Sequence, residues 1–259
     1  VYADQILRAP GNRANSIDYS VSMGSYSCDE RSLEKRVPDE LADNTDDPYD
    51  AKRDAVATIM DNIWVNQERV LATVLTDTAV LTNNTTLSGT SQWSDYSNSD
   101  PLANIATGIS AVRSATGQRP NSAWMSFATM LKLKDHPDVR EQLKYTNGGQ
   151  FSEAAFIQWL KGHFMLDNVY VGTAVYNSAD EGQTDVIADV WGKDFGLFYQ
   201  APRPTLMQAT FGYTFFDQPR VVETYREESH VSDVVRQRYS YDQNIMDASL
   251  AYLIKNAIA

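Results

Sequence analysis

Residues 99 to 121 read SDPLANIATGISAVRSATGQRPN and contain a helix with signals at both ends, followed by the start of a strand. Asp100 precedes Pro101, which is typical of a helix start because carboxylates accept backbone N–H bonds and proline suits the first turn. Gly117 predicts the helix end, since glycine readily adopts the left-handed conformation there. A buried strand is predicted from Pro120. The apolar residues share one helical face, which predicts packing in the interior and no ligand site: Leu102, Ile105, Ile109 and Val112.

A longer helix is predicted upstream, from Asp47 to about Thr76. Asp47 is its predicted N-cap, Pro48 its first helical residue, and Asp50 an acid suited to the positive end of the helix dipole. At 1.5 Å per residue the helix is about 40 Å long, which exceeds the usual globular helix. Apolar residues at helical spacing form its predicted buried stripe: Val56, Ile59, Ile63, Val70 and Val74, widened by Met60, Trp64, Leu71 and Leu75.

The remaining elements mix helices and strands without βαβ regularity, which favours an α+β fold. Residues 88–98 are predicted as strand plus loop, and short helices are predicted over 127–134 and 138–145. Ser152 is the predicted cap of a helix that ends at Leu160. Period-two patterns then predict strands over 164–175, 185–191, 195–199 and 211–216, with further alternation around Val221, Glu223 and Tyr225.

Residues 1–37 show no helical period, and Tyr19, Val21 and Met23 alternate with small polar residues as strand residues do. The turn signal Arg8-Ala9-Pro10-Gly11-Asn12-Arg13 precedes them. We therefore predict a long two-stranded loop with a cationic tip. Because the segment has few apolar residues, we expect it to gain order by burial against another subunit.

Composition narrows the classes of protein. The net charge is -12, which argues against a basic face that wraps nucleic acid. Cys28 is the only cysteine, so an internal disulfide and a multi-cysteine metal site are excluded. No apolar run reaches the roughly 18 residues of a membrane-spanning helix. Whether residues before Val1 are removed by processing is left open.

Catalytic signatures are absent from the sequence: it has no glycine-rich phosphate loop, no zinc-binding histidine pair and no nucleophile elbow. His136, His163 and His230 are far apart, and we interpret them, like Cys28, as structural. We predict no catalytic residue, cofactor or metal. Aromatic and acidic composition alone leaves open an acidic α+β hydrolase acting on glycans. One acidic run lacks the order of a calcium loop and is interpreted as a solvated segment: Asp39, Glu40, Asp43, Asp46 and Asp47.

The order of these parts resembles the major capsid protein of tailed bacteriophages (Caudoviricetes), with the Hong Kong 97-type capsid fold. The similarity rests on four stretches in sequence order: 100–121, 131–137 with 143–145, 168–172, and Asp189-Val190-Trp191-Gly192. It implies an extended N-terminal loop, a long spine helix, a peripheral domain and an axial domain.

The resemblance implies a structural protein of the virion with no enzymatic activity. Copies of the chain would form hexamers and pentamers that close into an icosahedral shell around double-stranded DNA. Assembly would take place in the host bacterial cytoplasm, through a procapsid that matures, with portal, scaffold and cement or decoration proteins as partners. The same-fold alternative is an encapsulin-like nanocompartment shell, and the different-class alternative is the hydrolase above.

The resemblance also implies a division of the chain. Residues 1–37 would be the extended loop over an adjacent subunit, 38–118 the spine helix and first part of the peripheral domain, 119–200 mainly the axial domain, and 201–259 the return strands. The cross-linked members of the family join a lysine of the extended loop to an asparagine elsewhere. Here the first lysine is Lys35, past the predicted tip, so non-covalent or cement-protein stabilisation is expected.

Predicted subunit contacts lie in the loop. Arg8 and Arg13 are expected to contact carboxylates of another subunit, because they form a cationic tip on an acidic protein. The full predicted set is Arg8, Pro10, Gly11, Asn12, Arg13 and Tyr19.

Overall fold

The computed structural model describes residues 11, 13, 24–44, 50–146, 152–203, 205 and 208–259. The helices in this part of the chain are α1 (Asp39–Asp43), α2 (Ala51–Leu75), α3 (Pro101–Thr116), α4 (Phe127–Asp135), α5 (Pro137–Thr146) and α6 (Glu153–Phe164). The strands are β1 (Asp29–Pro38), β2 (Asn84–Thr86), β3 (Ser122–Ser126), β4 (Asn168–Gly172), β5 (Val175–Asn177), β6 (Ile187–Asp189), β7 (Phe195–Phe198), β8 (Gly212–Glu227), β9 (Ser232–Ile245) and β10 (Ala251–Lys255).

Helix α3 confirms the prediction from its end signals. The Asp100 side chain accepts a hydrogen bond from the Ala103 backbone N–H at 2.9 Å, and Gly117 closes the helix at φ 73°. Ile105 and Val112 are fully buried, while Leu102 and Ile109 pack partly buried against the same core. The helix face is therefore occupied by packing within the chain.

A five-stranded sheet with strand order β2-β10-β7-β3-β4 lies at the centre of the larger core. Strand β3 is fully buried, pairs parallel with β4 and pairs antiparallel with β7. The core beside it also takes apolar residues of α3, α4, α5 and α6, among them Met130, Leu143 and Phe156. The sheet and these helices form one compact body.

A three-stranded antiparallel sheet, order β1-β9-β8, packs against the N-terminal half of α2. Ile59 and Ile63 of the helix meet Val235 and Tyr239 of β9 in a second core. The C-terminal half of α2 contributes Ala72 and Leu75 to a third core with residues of the five-stranded sheet. The long helix thus joins the two sheets, which explains why its apolar stripe continues over all 25 residues.

The predicted start of the long helix is wrong by three residues. Helix α2 begins at Ala51, and its N-cap is Asp50 instead of Asp47. The Asp50 carboxylate accepts hydrogen bonds from the Lys52 and Arg53 backbone N–H groups at 2.9 and 3.2 Å, so it satisfies the first turn itself. Asp47 and Pro48 lie outside the described residues.

Three further parts of the chain differ from the sequence prediction. Helix α6 is capped by Ser152, as predicted, but continues past Leu160 to Phe164 because Phe156, Leu160 and Phe164 bury one face. The strand predicted from 164 therefore begins only at Asn168. Residues 88–98 contain a 3₁₀ turn at Gly89–Ser91, and the short strand β2 precedes them.

The C-terminal strands are longer than the alternation predicted. Strand β8 runs over 16 residues with register shifts between Phe216 and Val221, and β9 pairs with it on one side and with β1 on the other. The last part of the predicted loop, Asp29–Pro38, is thus paired within its own chain. No helix in the described part of the chain is long and apolar enough to cross a membrane.

Candidate assembly interface

The face of the three-stranded sheet turned away from α2 carries a lattice of opposite charges. Glu223 on β8 accepts hydrogen bonds from Arg238 and from Arg236 Nη2, the latter at 2.8 Å, and Arg238 also lies near Glu30. The hydrogen bonds from Arg238 and Arg236 lower the pKa of Glu223. Because these groups are partly exposed, their pairing orders the face more than it stabilises the fold.

A second ion network lies at the end of this sheet where strand β8 turns into strand β9. Arg226 of β8 donates to Asp39 of α1, with Nη2 2.6 Å from Oδ2, and Asp233 of β9 pairs with Lys52 of α2. The hydrogen bond from Arg226 lowers the pKa of Asp39, and that from Lys52 lowers the pKa of Asp233. The network links β8, β9, α1 and α2 through ion pairs at the surface of the protein.

Strand β8 is an edge strand with an exposed apolar surface. Among the described strands it pairs only with β9, so no described strand covers its other edge. Four of its large apolar side chains are between 40% and 56% exposed: Phe216, Val221, Val222 and Tyr225. Pro219, the register shifts beside it and charges such as Arg220 interrupt this edge, as is usual for a protected edge strand. The four exposed apolar side chains, and not the edge itself, are suited to burial in an assembly.

Trp64 was predicted in the buried stripe of the long helix, and that prediction is wrong. Its side chain is 52% exposed, and the Arg220 guanidinium covers the ring at 3.8 Å from the centroid. Arg220 also donates to Gln67 on the next turn, at 2.6 Å. The cation–π contact takes the place of burial and ties the irregular part of β8 to the helix.

A groove of about 580 Å³ opens between the C-terminal half of α2, strands β4 and β7, and the start of β8; we refer to it as the aromatic groove. Its aromatic lining is Trp124, Tyr170, Trp191, Phe198, Tyr199 and Phe211. Trp124 and Trp191 have ring centroids 5.1 Å apart, and Phe198 and Phe211 5.6 Å apart. Trp191 Nε1 donates to Glu68 Oε1, which brings one carboxylate to the wall of the groove.

The predicted loop contacts fall mainly outside the described residues: Arg8, Pro10, Asn12 and Tyr19. Gly11 and Arg13 are exposed, and Gly11 has φ 84°, a conformation that favours glycine. Where the chain is next described, the Tyr26 ring stacks on Phe215 of β8 with centroids 4.1 Å apart. Tyr26 therefore packs on the residue of β8 that follows Thr214, which lines the aromatic groove.

The side chains considered for chemistry have structural contacts. The Ser99 hydroxyl donates to the Asp95 carbonyl at 2.7 Å and lies 3.2 Å from His136 Nε2. His136 Nδ1 faces the Asp138 backbone N–H at 3.4 Å, so the neutral ring with hydrogen on Nε2 satisfies both contacts. Burial lowers the pKa of His136.

Cys28 is a half-buried thiol near the Phe215 carbonyl. Within the described ranges, no His, Cys, Asp and Glu group is arranged to hold a metal ion.

Sequence reasoning missed the aromatic groove. Its lining residues lie between positions 68 and 214, so neither period nor motif connects them. Two stretches singled out in the sequence, 168–172 and 189–192, do contribute Tyr170, Gly172 and Trp191. Gly172 lies directly against the Trp191 indole, where a Cβ would overlap the ring. The sequence signal that could have pointed to the groove was Gly172 in one of these stretches and Trp191 in the other.

Known proteins resemble the chain in both sequence and fold. The major capsid protein of Burkholderia phage BcepMu is 28% identical over 260 residues, covering 97% of this chain and 80% of that protein. The crystal structure of a phage-related protein from Bordetella bronchiseptica RB50 has a TM-score of 0.76 at 26% identity, covering 96% and 81% of the two chains. The mature capsid of bacteriophage PhiM1 has a TM-score of 0.54 at 14% identity, covering 96% and 77%.

The similarity to the PhiM1 capsid confirms the α+β fold as the Hong Kong 97-type capsid fold. The model of one family, described as phage major capsid protein E, matches residues 78–214, which is just over half of the chain. That stretch runs from the end of α2 to the start of β8 and includes α3, the five-stranded sheet apart from β10, and most of the aromatic groove. The chain therefore belongs to the phage major capsid protein E family.

Proposed function

We propose that many copies of this chain form the closed icosahedral shell of a tailed-phage virion, as hexamers and pentamers around double-stranded DNA. The observation that carries the proposal is strand β8, whose four exposed apolar side chains are suited to burial against a protein partner. Shell subunits make large contacts on several sides that close into rings. The apolar side chains of β8 and the charge lattice beside them supply one such surface.

The acidic composition supports containment of DNA without sequence-specific binding. A chain with a net charge of -12 repels the polymer, which allows DNA to be packed and released without sticking. We infer a structural role in the virion, with assembly in the bacterial cytoplasm and with portal, scaffold and cement proteins as partners.

Within the loop of residues 1–37, the part before Asp29 is proposed to extend over an adjacent subunit, because Asp29–Pro38 pairs within its own sheet. Contacts are proposed at Arg8, Pro10, Gly11, Asn12, Arg13 and Tyr19. Lys35 Nζ lies 3.3 Å from Thr58 Oγ1 of the spine helix, a position that supports non-covalent stabilisation over a cross-link at the loop tip.

Negative-stain microscopy of the purified protein tests the shell. We expect uniform particles that enclose nucleic acid when isolated from virions, whereas a protein cargo would indicate a nanocompartment. A stable monomer under all assembly conditions would contradict the proposal.

The loop contacts are tested separately by reversing both charges, Arg8→Glu with Arg13→Glu. We expect a lower particle yield and earlier disassembly on heating than in the unmodified shell. Unchanged yield and stability would show that these arginines make no contact that matters for the shell.

A further inference from the structure

We propose that the aromatic groove is the docking site for the cationic loop tip, residues 8–13, of a second copy of this chain. The inference rests on the proposed shell and names the acceptor for its loop. It starts from the chemistry of the groove, which combines several aromatic faces with a single carboxylate.

The groove has the composition of a cation site. Of the described residues that line it, Glu68 alone carries a formal charge, and the others are aromatic, aliphatic, glycine, threonine or glutamine. The Trp191 indole donates to Glu68 Oε1, so the carboxylate lies at the wall of the groove, and no cationic side chain is among the described lining residues. Aromatic faces attract guanidinium and ammonium groups, most strongly where water is excluded. A volume of about 580 Å³ lies within the range of roughly 300–1,000 Å³ found for binding clefts.

The loop tip has the complementary charge. Between Asp4 and Asp18 the sequence contains no acidic residue, and its two charged side chains are Arg8 and Arg13. This local charge of +2 stands in a chain whose net charge is -12. An arginine also suits the site by shape, because its planar fork can lie on a ring while it donates to a carboxylate.

Other cations near the groove are already engaged. Arg69, next to Glu68 on the helix, lies over the Tyr176 ring at 4.9 Å from the centroid. Arg220 covers Trp64 and bonds to Gln67 on the same helix. Neither residue lines the groove. The carboxylate is therefore available to a cation from outside the described fold.

Disulfide trapping in assembled shells tests the docking. In a Cys28→Ser background, Asn12→Cys is combined with Gln200→Cys, which stands exposed at the rim of the groove. We expect mild oxidation to give covalent dimers and higher oligomers on non-reducing gels. The matched control is Asn66→Cys in place of Gln200→Cys, because Asn66 is exposed on the side of α2 opposite Glu68. It should form at least fivefold less cross-linked product.

A charge variant tests the role of the carboxylate. Glu68→Gln keeps an oxygen that accepts the Trp191 hydrogen bond but removes the charge, and should slow cross-linking at least threefold. Asp61→Asn, an exposed acid elsewhere on α2, should leave the rate unchanged. If Gln200→Cys prevents folding, Thr214→Cys, at a second exposed position that lines the groove, serves instead.

The outcomes separate the two proposals. Shells that form without cross-linking at either rim position would overturn the docking site and leave the shell intact. A monomer with an internal disulfide would also overturn it, since the occupant would then be the same chain. Failure of the unmodified protein to form shells would instead overturn the proposed function. Equal cross-linking in the Glu68→Gln variant would refute recognition of a cation.

Discussion

The ion pair between Lys255 and Asp194 should be the most sensitive polar contact of the fold. Asp194 keeps only 4% of its side chain exposed, and Lys255 Nζ lies 2.7 Å from its Oδ2. The same ammonium donates to the Thr76 carbonyl at the C-terminus of α2, at 3.0 Å, and the Asn256 backbone N–H donates to Asp194 Oδ1. One pair thus joins the last strand, the five-stranded sheet and the spine helix.

Replacing Lys255→Met would leave a buried carboxylate with one remaining hydrogen bond. Breaking a fully buried pair costs about 3–5 kcal/mol, because the remaining charge is desolvated without compensation. Lys255 is 30% exposed, so water offsets part of this cost. We expect a loss of about 2–3 kcal/mol in the free energy of unfolding, or a melting temperature lower by about 5–10 °C.

Urea unfolding of the unassembled subunit, followed by tryptophan fluorescence, measures the loss. Lys193→Met is the matched control, since Lys193 is exposed and adjacent in sequence, and its effect should stay within about 0.5 kcal/mol. Adding Asp194→Asn to Lys255→Met should restore part of the stability, because no buried charge remains. A Lys255→Met loss as small as that of the control would refute the reasoning.

Three further predictions concern individual positions. Gly196→Ala should lower the free energy of unfolding by about 2–3 kcal/mol, because a Cβ there overlaps the buried Trp124 indole; equal stability in urea would contradict this. Val231→Asn should raise it by about 1 kcal/mol, since Val231 holds φ 44° while 57% exposed and asparagine tolerates that conformation; a lower urea midpoint would count against strain. Burial lowers the folded-state pKa of His136, so the stabilisation from its neutral ring should be complete above the unfolded pKa of about 6.5 and be lost as the pH falls through the folded pKa. A His136→Gln variant should therefore lose less free energy of unfolding than the native chain when the pH is lowered from about 7.5 to 5. Parallel plots of the free energy of unfolding against pH for the two proteins would show that His136 does not cause the pH dependence.

The sequence alone determined the features that depend on a few neighbouring residues. Asp100, Pro101 and Gly117 delimit α3 because capping is decided within one helical turn at each end. The long helix and the overall order of parts followed from periodicity, and that order carried the resemblance to phage capsid proteins. Even here Asp50 replaced Asp47 as the cap, since several acids stand in a row and only the fold decides which one closes the helix.

Tertiary structure decided the rest because those features combine residues far apart in the chain. Strand β9 has no clear period, since it lies between two other strands and consecutive residues such as Val234 and Val235 are both buried. Trp64 matched the apolar stripe of the long helix, yet its side chain is exposed to solvent and the Arg220 guanidinium of β8 stacks on its ring. The aromatic groove needs Glu68 beside Trp191, 123 positions later. Only packing of α2 against the five-stranded sheet brings such residues together.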